Sequence, residues 1–196
     1  MSILALTSDT LIGTAATGNI EYNGQFYGTD SNASRAQMQR ITQGTAVAST
    51  SGTSINFTSL PSWIKKITVI FSGVSLSGTS HFLIQAGTGG TPTTSGYVSS
   101  SLSIATAGAP NTTSTAGYVF YDGNATEALS GNIIISNVTG NTWVASGNLA
   151  STAGQVCVAV GAGTVALGGV LDNLRITTVN GTDTFDLGTI NILYEG

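Results

Sequence analysis

Side chains able to do covalent or acid–base chemistry are scarce in this sequence. It holds one histidine, His81, and one cysteine, Cys157, in 196 residues. A serine or cysteine nucleophile needs a base beside it. His81 falls at an expected strand start, Thr79-Ser80-His81-Phe82, with no nucleophile motif next to it. The stretch Gly73-Val74-Ser75-Leu76-Ser77-Gly78 misses the spacing of a nucleophile elbow. Cys157 lies between Val156 and Val158 and reads as a small core residue. As a lone cysteine it excludes an internal disulfide.

Two carboxylate pairs have the residue types of glycoside cleavage, Asp183 with Asp186 and Asp122 with Glu127. A spacing of three along an extended strand turns Asp183 and Asp186 to opposite faces, so solvated hairpin residues are the better account. Calcium has oxygen ligands available in the Gly and Asn loops but no EF-hand spacing, and zinc lacks its ligand set. The run Gly161–Gly169 suggests a phosphate loop but has no lysine, and a turn between two strands is expected there. Trp143, between Thr142 and Val144, has the alternation of a core tryptophan, with stacking on a sugar as the alternative. No catalytic residue, metal or cofactor is expected.

Composition narrows the partners. Charged residues are 7% of the chain, against roughly 25% in a typical soluble protein, while hydrophobic residues are 41%. Five Lys and Arg against nine Asp and Glu give a formal charge of −4. That balance cannot neutralise a run of phosphates, so neither nucleic acid nor an anionic membrane is an expected partner. No stretch approaches the roughly 18 apolar residues of a transmembrane helix, and Met1–Thr10 lacks the basic region of a signal peptide. Polarity comes from Ser, Thr, Asn and Gly, which suits a protein packed among other copies or displayed outside a cell.

These residues must be positioned by strands. Period-two alternation recurs between turn residues and no helical stripe stands out, which predicts an all-β fold, an antiparallel β-sandwich of jelly-roll-like type. The clearest strand is Trp63–Phe71, with Pro61 at its start and Ile67, Val69 and Phe71 on one face. Further strands are expected at Ser54–Ser59, His81–Ala86, Gly96–Ile104, Gly117–Tyr121, Gly131–Val138, Thr142–Leu149, Gln155–Val160, Val170–Thr178 and Thr184–Tyr194. Asp122-Gly123 and Asn180-Gly181 read as hairpin turns, the latter pairing Leu174–Thr178 with Thr184–Leu187, and Gly188 as a bulge. Gly87–Ser95 and Ala107–Ala116 read as long connections. Residues 1–43 form an N-terminal arm with a small hairpin over Asn19–Tyr27 and a weak helical signal at Ser34–Ile41, capped by Ser34; residues 44–196 form the sandwich. Tyr22, Phe26 and Tyr27 are the expected assembly residues, because aromatics are enriched at interface cores.

Three blocks resemble sequences that recur in tailed-bacteriophage virion structural proteins, especially the terminal parts of tail fibres. The first is Leu11–Tyr27, a small-residue stretch followed by Glu21-Tyr22-Asn23-Gly24 and the pair Phe26-Tyr27, with Asn23 where an aspartate is usual. The second is Leu60–Ser75 and the third Leu171–Asp186. The resemblance implies a non-enzymatic part of the virion exterior, made in the host cytoplasm, commonly a homotrimer, with other tail or capsid proteins as partners. Fibres carry a long shaft upstream, whereas this chain starts almost at the Tyr22-Asn23-Gly24 block, so a capsid decoration protein, a head fibre or a tail-tip piece is the alternative. A module binding a host-surface glycan is the third alternative.

Overall fold

In the strand carrying Ile67, Val69 and Phe71, every second side chain is shut away from water. The same alternation, repeated strand after strand, gives each sheet one buried face. The computed structural model describes residues 18–22, 26–32, 34–105, 108–121, 123–151, 153–154 and 156–196. They are all-β, with no helix among them. The chain divides into two compact units, Met1–Arg40 and Ile41–Gly196.

The first unit is a three-stranded antiparallel meander of β1 (Ile20–Tyr22), β2 (Phe26–Thr29) and β3 (Arg35–Gln37). The small hairpin lies where the sequence places it, and its Asn23-Gly24 turn lies outside the described residues. The helix expected at Ser34–Ile41 is instead strand β3. The Asp30 carboxylate accepts the backbone N–H groups of Asn32 and Ser34 and closes a turn, and Arg35 then reaches Glu21 across the sheet at 3.1 Å. That cross-strand pair outweighs a weak cap.

The second unit is an antiparallel sandwich. Its strands are β4 (Ile41–Gln43), β5 (Val47–Ala48), β6 (Ser54–Phe57), β7 (Lys66–Leu76), β8 (Phe82–Thr88), β9 (Thr91–Pro92) and β10 (Val98–Ala105). There follow β11 (Asn111–Ser114), β12 (Tyr118–Phe120), β13 (Leu129–Thr139), β14 (Thr142–Ser151), β15 (Cys157–Ala166), β16 (Asn173–Thr178) and β17 (Phe185–Glu195). The nine-stranded sheet runs β11-β10-β15-β14-β13-β7-β17-β4, with β5 also on β17. The five-stranded sheet runs β12-β8-β16-β6, with β9 on β8. Connections pass repeatedly from one sheet to the other, the jelly-roll-like feature of the fold. Residues 41–43, grouped with the arm in the sequence, are an edge strand of the larger sheet. Phe71, Phe82 and Phe185 meet between the sheets, with Phe71 and Phe82 edge to face at 5.4 Å.

Several local expectations change. The chain turns at Pro61–Ile64 and the strand begins only at Lys66, running on to Leu76. Gly87–Ser95 is no long connection but the tight hairpin β8–β9, whose turn glycines Gly89 and Gly90 sit at φ 62° and 75°. Ala107–Ala116 contains edge strand β11. Asn180-Gly181 is a turn, but it joins β16 in one sheet to β17 in the other, so no hairpin forms. Likewise the strands flanking Asp122-Gly123 lie in different sheets; Asp122 itself is outside the described residues. Gly188, at φ 94°, does mark a register shift against β7.

Of the run Gly161–Gly169 expected as a turn, Gly161–Ala166 belongs to β15 and the chain bends only at Gly168 and Gly169. Gly161 and Gly163 are inside the strand; β12 of the smaller sheet lies directly on Gly161, and Val98 and Ser99 of β10 crowd Gly163. A Cβ at Gly161 would stand 3.0 Å from both the Val119 carbonyl oxygen and the Phe120 ring. Strand β12 is an edge with no neighbour on this side, and its N–H groups are taken up by serines of β10. Ser99 Oγ accepts from Val119 N–H at 2.9 Å and donates to the Ala162 carbonyl; Ser101 Oγ accepts from Tyr121 N–H at 3.0 Å and donates to the Val160 carbonyl. Small side chains with hydroxyls thus lace one sheet to the other. Ser99→Ala strands the buried Val119 N–H group and should cost about 1–3 kcal/mol, read as a lower urea midpoint at constant slope. A change below a few tenths of a kcal/mol would mean that water replaces the hydroxyl.

Candidate assembly surfaces

The residues with chemistry to offer are dispersed and tied into structure. His81 is half-buried and stacks on Tyr121 at 4.4 Å between ring centroids. Asp183 organises the Asn180 turn: its carboxylate accepts Ser80 N–H at 2.9 Å and the Asn180 side-chain amide at 2.8 Å. Asp186 is exposed on β17. Glu127 is 3% exposed and accepts the Cys157 thiol at 3.4 Å, which removes it from any open cleft. Trp143 is 4% exposed and faces the core, so its ring presents no surface to a sugar. Its carbonyl accepts the Tyr118 and Thr164 hydroxyls, each at 3.1 Å. Among the described residues no three His, Cys, Asp or Glu converge in the manner of a metal site.

The expected assembly residues are split by the meander. Register places Ile20, Tyr22, Phe26, Gly28 and Ala36 on one face and Glu21, Tyr27, Thr29, Arg35 and Gln37 on the other. Tyr22 and Phe26 are directly opposed, with ring centroids 5.0 Å apart, and Phe26 is 45% exposed. Ile20 at 66% and Met38 at 48% extend the apolar exposure of this unit. Tyr27 belongs to the face bearing the Glu21–Arg35 ion pair. Sequence reasoning missed Ile20 and Met38; alternation outward from Tyr22 would have found the first.

The second surface is the outer face of the nine-stranded sheet, and no single residue announces it. Its registered rows include Ser100-Ala162-Ser146-Ile134-Thr68-Leu193 and, beside it, Leu102-Val160-Asn148-Asn132-Ile70-Asn191. Neither row holds a charge. In the next row, Val98-Thr164-Val144-Ser136-Lys66-Glu195, the only two charges pair with each other at 2.8 Å. At one end β11 has only β10 as a strand neighbour, and β11, β10 and β15 bound a shallow hollow of about 570 Å³.

No family model matches the chain, and no curated protein or solved structure is detectably similar to it.

Proposed function

We propose that this chain is a non-enzymatic structural component of a tailed-bacteriophage virion, of tail-fibre-like or fibre-associated type, that works by multi-copy assembly on the particle exterior. The observation that carries the reading is the apolar face of the N-terminal meander. Three short strands cannot bury a core of their own, and a cluster of Ile20, Tyr22 and Phe26 held outward on so small a sheet is an anchoring surface for another virion protein. The three fibre-like sequence blocks support the class, and the scarcity of charge suits a component surrounded by neighbours. A trimer is the expected assembly. Decoration of the capsid uses the same surfaces and is the second reading; a host-glycan module is the third, and the burial of Trp143 leaves it the Gly, Ser and Thr loops alone.

Phe26→Asp, placed at an exposed position, should leave the sandwich folded and lower incorporation into particles by at least about tenfold, the effect of ~1.4 kcal/mol. Quantitative blotting of purified virions measures it, and immunogold electron microscopy places the protein on tail or capsid. Full incorporation of both Phe26→Asp and a chain lacking Met1–Arg40 would refute the anchoring role. Binding of the isolated protein to host cells in the absence of particles would favour the glycan module.

A further inference from the structure

We infer that the outer face of the nine-stranded sheet is a twofold contact between two copies of this chain, each presenting this same face to the other. The inference rests on the multi-copy reading and adds a pairwise contact to it, separate from the head-to-tail contact that closes a trimer.

Three properties of the face lead to it. The first is charge. Exposed sheets of proteins that stand alone carry lysines, inward charges or bulges that deter association. The rows here expose Val98 at 72%, Ile104 at 56%, Ile134 at 41% and Val144 at 39%, among serines, threonines and asparagines. Their only charges, Lys66 and Glu195, neutralise each other. A neutral aliphatic and hydroxyl face repels a charged partner through desolvation and fits one of its own composition, and the same face of a second copy meets that requirement.

The second is area. Eight neighbouring strands at about 4.8 Å spacing, with outward residues over about eight positions of ~3.4 Å each, span roughly 900–1,000 Å². A stable interface needs about 800 Å² from each partner. The third is relief. The hollow is floored by the small residues Ser100, Gly161 and Ala162 and edged by Leu102, Val160 and Thr113. Ile134 and Val144 project from the same face two to three strands away, at about 10–14 Å. When two copies meet face to face about a twofold axis, the projections of each enter the hollow of the other, and every contact is made twice.

The test uses the full chain in solution, without particles, by sedimentation velocity across a concentration series. The wild type should sediment as an oligomer. Val160→Lys and Ile134→Lys should each raise the dissociation constant by roughly 100-fold or more, because a lysine desolvated opposite its own copy has no counter-charge. Their circular dichroism should stay at the wild-type values, since both side chains are already partly in water, and their thermal midpoint should lose the dependence on protein concentration that association gives the wild type. Val179→Lys, exposed on the Asn180 turn, should leave the oligomer intact. Ser146→Lys, exposed at the centre of the face, carries the test should Val160→Lys alter the circular dichroism. A wild type that is monomeric throughout overturns the inference, as does an oligomer that survives the face variants. Survival in those variants would move the contact elsewhere and leave the multi-copy reading standing, whereas loss of particle incorporation by Phe26→Asp leaves this face untouched.

Discussion

Gly131→Ala should abolish the folded sandwich at 37 °C. Gly131 is on β13, between Leu149 of β14 and Phe71 of β7, at the middle of the larger sheet. A Cβ there would overlap the Asn148 carbonyl oxygen and stand 3.1 Å from the Leu149 Cα, both backbone atoms of a strand locked on its other side by β15. The residue also sits at φ 153°, at the margin of the region that favours glycine. Relief requires β13 and β14 to separate, with loss of ladder hydrogen bonds on both. The expected loss is more than about 4 kcal/mol, against the 5–15 kcal/mol total of a typical domain. Failure to recover dispersed protein, or a thermal midpoint lowered by well over 10 °C in what is recovered, checks it. Gly140→Ala is the control: it lies in the β13–β14 turn, where a Cβ meets nothing within 4 Å, so only its φ of 51° is strained. Equal losses for the two variants would show that backbone conformation, and not crowding, governs.

Tyr97→Phe should cost about 2–3 kcal/mol, the penalty for leaving a buried donor unpaired. Strand β8 has β12 beside it only over Phe82–Ile84. Two residues further on, the Tyr97 hydroxyl fills the gap between β12 and β9: it accepts Ala86 N–H at 2.8 Å and donates at 3.0 Å to the Ala86 carbonyl, which also accepts Thr93 N–H. Phenylalanine keeps the edge-to-face contact with Tyr118 at 5.0 Å and removes only the hydroxyl. Tyr118→Phe should cost about 1 kcal/mol, since the Trp143 carbonyl that it serves keeps the Thr164 hydroxyl. Urea unfolding of the pair separates the two roles, and equal losses would sink the strand-substitute argument.

The same tyrosines set the alkaline limit. Burial pushes both phenols well above the ordinary tyrosine value; for Tyr97 the Ala86 hydrogen bond and the charge of Arg175 oppose it, and for Tyr118 its neighbour Tyr97 adds to it. The folded chain therefore holds them neutral while the unfolded chain ionises them near pH 10. Their contribution is intact below that pH and lost progressively above it, as the unfolded state releases protons that the folded state retains. Tyrosinate absorbance from these two rings should rise only together with the loss of near-ultraviolet circular dichroism.

Much of this architecture was legible because it is local. Ile67, Val69 and Phe71 alternate within one strand, and burial of one face follows from the period alone. Gly188 advertised its bulge. Where the outcome depended on another strand, local signals misled. Asn180-Gly181 has turn chemistry, but which sheet the chain enters next is decided by Phe185 packing against Phe82. Gly161 and Gly163 carry no strand propensity; β12 occupies the space where a Gly161 Cβ would stand, and Ser99 of β10 the space at Gly163. Tyr22 and Phe26 were legible as a pair, whereas Tyr27 was grouped with them by sequence adjacency and the pleat sends it to the opposite face. The neutral outer face was visible only as a composition. Its rows exist once β10, β15, β14, β13, β7 and β17 are in register.

The trough beneath β12 also shapes how this chain can diverge. Its floor is made of positions defined by what they lack, Gly161 with Ser99 and Ser101, so almost every codon change there adds volume and few subtract it. The outward positions of the same strands, one residue along, have room for many side chains in the folded monomer, while Gly161 is crowded even by a Cβ. A library of random substitutions should therefore show β15 as a comb of tolerant and intolerant positions, its teeth two residues apart.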